Sequence, residues 1–385
     1  MLPNDCWPVS VNDHIVEPKT LWTARMAKRD ADLAPRVIET DDGGEAWQFG
    51  DEILPVSFIL ASPHLRTDPK RRSTRFEHLL PGGEDPKARL VAMDQDQVAV
   101  HTMNSQVCGF AGERLRKLGD KRLWADAVRA YNDYLLKEFC TVAPERLVGL
   151  ALLPLTDPDG MVKEIERVAP LGARGISLPH DPVPSGADSY FKESWVRVLD
   201  AADAAGLPVF IHIGSSGVPW ALPDSPAWKP PGTMVALANL DVMIAASDLT
   251  FSPLLYDRPK RRVIFQEGNL SWMPYLEERV DFAVNKLRGD LAPKANRPPS
   301  QIMHEQTMAS FLRDPVGIAM RHQIGLDRFL WQADYPHIDG LFPDSRKELV
   351  KQLQDVPDAE ARQIAEGNAR KLLRLGAWTP PKVAA

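Results

Sequence analysis

Residues 208–214 read PVFIHIG, and residues 147–153 read LVGLALL. Both runs are almost wholly apolar and lack the polar alternation of a strand with one face in water. This pattern indicates strands buried on both faces of a parallel sheet. Similar short runs recur on either side, and together they predict eight strands: Ser10–Val16, Gln97–Met103, Leu147–Leu153, Gly175–Leu178, Pro208–Ile213, Arg262–Glu267, Met308–Leu312 and Arg328–Ala333.

The segments between these strands have helical periodicity. The clearest predicted helices are Arg122–Thr141, Asp157–Ala169, Ser194–Ala205 and Trp272–Leu287. Eight repeats of strand then helix predict an α/β fold, and at 385 residues a single-domain (β/α)₈ TIM barrel spanning residues 1–385. A doubly wound open sheet is the alternative, but no GxGxxG follows the first strand and no GxxxxGK[ST] occurs.

Two segments are too long for ordinary barrel loops. Residues 19–96 follow the first strand, and residues 214–256 follow the fifth. Because both leave the carboxyl end of a strand, we expect them as insertions at the C-terminal face of the barrel, where TIM-barrel active sites lie. They would form lids or substrate walls, or else surface decoration without a role.

The composition excludes several classes of protein. A net charge of −6 and a pI near 5.9 give no reason to expect nucleic acid or an anionic membrane as a partner. Three cysteines at irregular spacing argue against a disulfide framework, and without a CxxC pair there is no cysteine zinc site. Neither a signal peptide nor an apolar run of about 20 residues is visible, so a soluble, cytoplasmic protein is expected.

Three polar residues lie at or near the ends of predicted strands. His14 lies at the end of the first strand, His212 at the end of the fifth and Asp334 at the end of the eighth. Each alone could be a hydrogen-bonded structural residue. In a closed barrel, however, these strand ends face one central mouth, and imidazole and carboxylate groups together suit Zn²⁺, Mn²⁺ or Fe²⁺. Asn12 shares a strand face with His14 by period-two alternation, so it is a candidate fourth ligand.

A set of stretches resembles the amidohydrolase-related family that includes aminocarboxymuconate-semialdehyde decarboxylase and γ-resorcylate decarboxylase. The stretches run from about residue 10 to 375: VNDHIVEP, MDQDQVAVHTM, PERLVGLALLPLTDPDG, GARGISLP, PVFIHIG, QEGNLSWMPYLEERVD, GLDRFLWQADYPH and EGNARKLL. The resemblance implies that Asn12, His14, His212 and Asp334 hold the metal, and that Asp334 also handles a proton.

The sequence departs from this family at two positions. Asn12 stands where relatives have His, Glu or Asp, so the metal would be held more weakly or would recruit Glu17. Glu267 stands where many relatives have a catalytic histidine, and it is a candidate acid, base or added ligand, or merely a loop anchor. We therefore take Asp334 and Glu267 as the candidate catalytic residues.

Other residues are candidates for substrate contact. His180 lies just past the fourth strand and His337 follows Asp334 by three positions; either could contact substrate or orient a metal ligand. Trp272 could wall an aromatic pocket with Trp220 and Trp228, and packing is an equally good account of all three. His101 is better interpreted as a hydrogen-bonded core residue. No GxSxG occurs, which disfavours a serine hydrolase.

Two reactions fit these residues. The first is non-oxidative decarboxylation of an aromatic or enol-type acid, in which a divalent ion, zinc by first expectation, binds the substrate and a carboxyl group protonates the carbon. The alternative is hydrolysis of a C–N, C–O or C–C bond by a metal-activated water. A small-molecule substrate and a homodimer are expected from the resemblance.

Overall fold

The structure is a computed structural model that describes residues 1–56, 61, 63, 74–217, 231–286, 297–376 and 378. The barrel strands are β1 Val9–His14, β5 Val100–Asn104, β6 Leu147–Ala151, β7 Gly175–Leu178, β8 Val209–His212, β9 Val263–Gln266, β10 Thr307–Phe311 and β11 Phe329–Trp331. These eight strands close a barrel in the order β1, β11, β10, β9, β8, β7, β6, β5, and every neighbouring pair is parallel. The predicted (β/α)₈ barrel is confirmed.

Helices surround the barrel. The four predicted ones are observed as Lys121–Tyr134, Pro158–Val168, Ser194–Ala205 and Met273–Lys286, and the first continues as a π-helix over Leu135–Phe139. The remaining α-helices are Leu21–Arg25, Pro86–Asp96, Pro231–Leu237, Leu240–Phe251, Pro253–Tyr256, Pro299–Gln306, Pro315–Ala319, Arg321–Ile324, Ser345–Gln352, Asp358–Arg362 and Asn368–Leu373. None of the helices in the described ranges is long and apolar enough to span a membrane.

The segment from residue 19 to 96 adds a small antiparallel sheet to the barrel. Its strands are β2 Arg36–Glu39, β3 Glu45–Phe49 and β4 Glu52–Pro55, paired in that order. Trp47 of β3 is buried against Trp22, with their rings edge to face at 5.1 Å. This contact joins the sheet to the helix that follows β1, and aromatic pairs of this kind add to the free energy of burial.

The barrel interior changes from apolar to polar along its axis. At the amino-terminal end of the strands, one buried cluster fills the interior with side chains from several strands, including Val9, Val100, Val148, Phe210, Ile264 and Leu330. The fit is close, because a Cβ on Gly175 would lie 2.5 Å from the ring of Phe210. At the carboxyl end, the inward residues are polar: Asn12, His14, Asn104, His212, Gln266, Ser310 and Gln332.

A β-bulge in β1 makes this change possible. Ser10 pairs with His101 and Asp13 with Met103, so three steps along β1 match two steps along β5. Val11 packs in the apolar interior cluster, whereas Asn12 contacts polar groups at the carboxyl end. The extra residue thus turns Asn12 and His14 inward, whereas strict alternation from Val9 and Val11 would face them outward.

Candidate metal centre

Four side chains place ligand atoms close together at the carboxyl end of the barrel. One ligand atom from each of His14, Glu267, Asp334 and His337 lies within 4.8 Å of the others. His14 ends β1 and Glu267 follows β9 directly, while Asp334 and His337 lie in the loop after β11. The carboxyl ends of parallel strands thus meet at one point, as expected for a TIM-barrel active site.

His14 and His212 are held in the tautomer that binds metals. The Nδ1 atom of His14 lies 3.3 Å from the carbonyl oxygen of Ser105, and that of His212 lies 2.6 Å from that of Ile213. Since a carbonyl can only accept, Nδ1 carries a hydrogen in each ring, and in the neutral imidazole Nε2 is the atom that offers a lone pair to a metal. Both Nε2 atoms are buried and have no hydrogen-bond partner.

The Nε2 atoms face carboxylate oxygens. His14 Nε2 lies 3.3 Å from Asp334 Oδ1, and His212 Nε2 lies 2.8 Å from Glu267 Oε2. A lone pair and a carboxylate oxygen repel each other unless a proton or a cation lies between them. Two buried, orphaned imidazole nitrogens facing two carboxylates are therefore a donor set that fits a divalent metal ion.

The local charges set the protonation of the three histidines. Burial, together with His337 and His212, lowers the pKa of His14 well below its ordinary value, so its imidazole is neutral. Burial also acts to lower the pKa of His337 and His212, but carboxylates outweigh it. Asp334 raises the pKa of His337 to about 9, and Glu267 gives His212 a raised pKa.

The two residues that supply these carboxylates, Glu267 and Asp334, have unusual backbone conformations. Glu267 has φ of 65° and Asp334 has φ of 59°, both in the left-handed region that non-glycine residues seldom adopt. The Glu267 amide donates to Ser310 Oγ at 3.0 Å and to Gln332 Oε1 at 3.1 Å, and the Asp334 amide donates to the carbonyl of Asn12. Strain held in place by such bonds is found at functional sites.

The structure places Asn12 at the cluster but not as the ligand that the sequence suggested. Its amide nitrogen, not its oxygen, faces Glu267 and Asp334, because the oxygen accepts from Asn104. Glu17, the suggested replacement, is buried and accepts from the backbone amides of Gln106 and Val107. Glu17 is therefore an anchor for the loop after β5.

The candidate substrate residues separate into two groups. His337 belongs to the cluster: its Nδ1 lies 3.0 Å from Asp334 Oδ2, and its ring stacks on His14 at 4.1 Å. His180 does not reach the cluster and contacts Ser215 and Asp241 instead. Trp272 donates its indole N–H to the carbonyl of Gly268 and packs outside the barrel on Phe265, so we reassign it to packing. Trp220 and Trp228 lie outside the described residues.

Sequence reasoning missed two residues of the loop after β5. Gln106 Oε1 lies 2.7 Å from His337 Nε2, and the ring of Phe110 lies 4.1 Å from that of His212 and 5.0 Å from that of His14. Both residues follow a barrel strand closely, and this position in the sequence could have indicated that they lie at the active-site end of the barrel. His101, by contrast, is the buried structural residue that was predicted, between Asp13 and Arg89.

A small cavity adjoins Phe110. Its volume is about 150 Å³, and its lining residues are Leu54, Gln106, Val107, Gly109, Phe110, Glu113, Arg114 and Gly214. Leu54 belongs to β4, so the segment between β1 and β5 forms part of this wall. A cavity of this size can hold a molecule as large as benzene.

A larger cavity, of about 1170 Å³, lies at the opposite end of the barrel, where the strands begin. Several arginines line it, but acidic neighbours pair with them: Arg261 with Asp203, and Arg328 with Glu277. Because these charges are neutralised locally and lie far from the metal-binding cluster, we assign this cavity no function.

Comparison with known proteins agrees with this geometry. The family model described as Amidohydrolase matches residues 77–375. γ-Resorcylate decarboxylase of a Rhizobium species is 25% identical over 314 residues, which cover 74% of this chain and 86% of the relative.

Solved structures share the fold. An amidohydrolase of Mycobacterium avium subsp. paratuberculosis superposes with a TM-score of 0.77 at 20% identity, covering 96% of this chain and all of the other. A dihydroxybenzoic acid decarboxylase of a Polaromonas species, with bound manganese and the inhibitor 2-nitroresorcinol, gives a TM-score of 0.62 at 18% identity and covers 96% and 97% of the two chains.

Proposed function

The chain belongs to the amidohydrolase family, and we propose on that basis that it is a metal-dependent, non-oxidative decarboxylase of an aromatic acid with a hydroxyl group beside its carboxylate. The observation that carries the proposal is the pair of buried, unpartnered Nε2 atoms of His14 and His212, which face the carboxylates of Asp334 and Glu267. The similarity to a γ-resorcylate decarboxylase supports the choice of reaction.

In this proposal His14 and His212 hold the metal through Nε2, with Asp334 and Glu267 as the anionic ligands. The bound ion would act as a Lewis acid toward the oxygens of the substrate. The carbonyls of Ser105 and Ile213 keep the two imidazoles in the binding tautomer. Manganese is to be tested beside the zinc expected from the sequence, since the Polaromonas decarboxylase holds manganese.

The Asp334 carboxyl group is proposed as the proton donor. Its Oδ2 atom faces His337 Nδ1 at 3.0 Å, so a proton held on that nitrogen can pass to Asp334. Asp334 then delivers the proton to the ring carbon that bears the substrate carboxylate. The bond to the carboxyl carbon breaks, its electron pair returns to the ring, and CO₂ leaves.

Phe110 supports an aromatic substrate. Its ring covers His14 and His212 and lines the 150 Å³ cavity next to the cluster. One aromatic ring would fill such a space. Parts of both predicted insertions, 64–73 and 218–230 among them, lie outside the described residues.

The test is a turnover assay with manganese-loaded and zinc-loaded protein in D₂O. A panel of hydroxybenzoic acids, including 2,6-dihydroxybenzoate, should release CO₂ and leave one deuterium at the former carboxyl position, and Asp334→Asn should abolish both. A protein that releases no CO₂, but puts ¹⁸O from labelled water into the products of esters or amides, would instead be the hydrolase of the alternative. The homodimer and the cytoplasmic location remain predictions; light scattering during size-exclusion chromatography tests the first.

A further inference from the structure

The side chain of Asn12 lies between the two carboxylates of the cluster and contacts both. Its Nδ2 atom is 3.2 Å from Glu267 Oε2 and 3.4 Å from Asp334 Oδ1. Its Oδ1 atom accepts a hydrogen bond of 2.7 Å from Asn104 Nδ2, and both asparagines are fully buried. One amide thus connects Glu267 and Asp334, which are 67 positions apart in the chain.

The orientation of the amide follows from its neighbours. Turning it over would place the amide oxygen of Asn12 against two carboxylate oxygens, and its N–H₂ group against that of Asn104. Both changes replace attraction with repulsion in a buried site, where hydrogen bonds to charged groups are strong. Asn12 is therefore a donor to Glu267 and Asp334, and its oxygen is not available to a metal.

Two carboxylates at this spacing repel each other, and in a buried site this repulsion favours protonation of one of them. An amide that donates to both reduces the repulsion without adding a charge of its own. When the two imidazoles bind a metal they are neutral, and the ligand set then carries the two negative charges of Glu267 and Asp334. Such a set balances the charge of a divalent ion.

We propose that Asn12 is a positioning residue that holds Glu267 and Asp334 at the spacing a divalent ion needs, and is not itself a ligand. The proposal rests on the metal centre of the proposed function. It predicts that removing the amide weakens metal binding without changing the set of atoms that touch the metal.

The first test is titration of metal-free protein with Co²⁺ in Asn12→Ala. We expect a 10- to 100-fold loss of affinity, as for other residues that orient ligands, with the visible absorption bands of bound Co²⁺ unmoved. Asn132→Ala is the matched control: it removes a buried asparagine far from the cluster, on the helix Lys121–Tyr134, and should leave Co²⁺ affinity unchanged. Bands that move, or an affinity that equals that of the unaltered protein, would overturn the proposal.

The second test is a double-mutant cycle in metal-free protein at pH 8. Asn12→Ala should lower the urea midpoint, and should lower it less in a Glu267→Gln background, because the charge that the amide stabilises is then gone. Additive effects on the urea midpoint would refute the proposed role of Asn12. If Asn12→Ala does not fold, Asn104→Ala removes the donor that orients the amide and should weaken Co²⁺ binding in the same direction.

Neither test involves turnover. If the variants bind Co²⁺ as expected but the protein releases no CO₂, the proposed role of Asn12 is supported and only the decarboxylase assignment is refuted. A protein that binds no Co²⁺ in any form would refute the metal centre on which both depend.

Discussion

Replacing Arg89 with methionine should lower the free energy of unfolding, although Arg89 belongs to the helix Pro86–Asp96 and not to a barrel strand. Arg89 is fully buried; its Nε donates to the carbonyl of Gly82 at 2.6 Å and its Nη2 to the carbonyl of His14. Its guanidinium also stacks on the ring of Tyr335, 4.4 Å from the centroid. Methionine fills the space of the aliphatic stem but makes none of these polar contacts.

Part of the cost involves Asp13, which is also fully buried. Burial raises the pKa of Asp13 well above its ordinary value, and the charge of Arg89 acts against this effect. His101 lies between them, 3.7 Å from Asp13 Oδ1 and 3.4 Å from Arg89 Nη1. Arg89→Met removes the charge that favours the ionised form of Asp13 and leaves the carbonyls of Gly82 and His14 without their donor. We expect it to cost about 3 kcal/mol, since each buried polar group left unpaired costs about 1–3 kcal/mol.

Urea unfolding of metal-free Arg89→Met, Asp13→Asn and the double variant measures this cost. The double variant should regain about 1–3 kcal/mol relative to the sum of the single changes, because the amide introduced by Asp13→Asn has no ionised form for Arg89 to favour. A loss below about 1 kcal/mol for Arg89→Met, which is the typical effect of an arbitrary substitution, would refute the reasoning. So would strict additivity.

Three further predictions concern other parts of the molecule. His212→Ala should abolish metal retention in elemental analysis while the circular dichroism spectrum stays that of the folded protein; stoichiometric metal would contradict the site. Burial, partly offset by hydrogen bonds from Ser345, raises the pKa of Asp96 to about 6 from 3.8. The folded state therefore binds more protons between these values, and the free energy of unfolding should fall by about 3 kcal/mol in all as pH rises through this window. Urea curves at pH 4.5 and 7.5 should show about 2 kcal/mol of this fall, and Asp96→Asn should remove it. Gly175→Ala should cost about 1–3 kcal/mol in the same assay, because its Cβ meets Phe210, and an unchanged midpoint would contradict the packing.

The strands of the barrel could be predicted from the sequence because each is a short apolar run. Gly175–Leu178 was predicted with its observed bounds, and β8 was predicted one residue too long at each end. The segment 19–96 was expected only as an insertion, since the pairing of its three strands depends on Trp22 and Trp47, whose contact is not visible in a local pattern.

The positions of His14, His212 and Asp334 could be predicted because strand ends meet in a barrel. The role proposed for Asn12 could not, since the orientation of its amide depends on Asn104 and on Glu267, which is 255 residues away in the chain. Trp272 was assigned to the site from its place after β9, but its indole turns to the outer layer. Sequence position thus indicated where these side chains meet, and the contacts between them carry the roles proposed for each.

The bulge in β1 makes the chemistry of this barrel depend on residue number as well as residue type. Deleting Val11 would leave two steps of β1 against two steps of β5, and alternation from Val9 along this regular strand would still face Asn12 and His14 inward. A strand that kept Val11 but lost the bulge would instead turn both side chains away from the cluster. In descendants of this gene, the bulge and the extra residue should therefore be lost together or kept together.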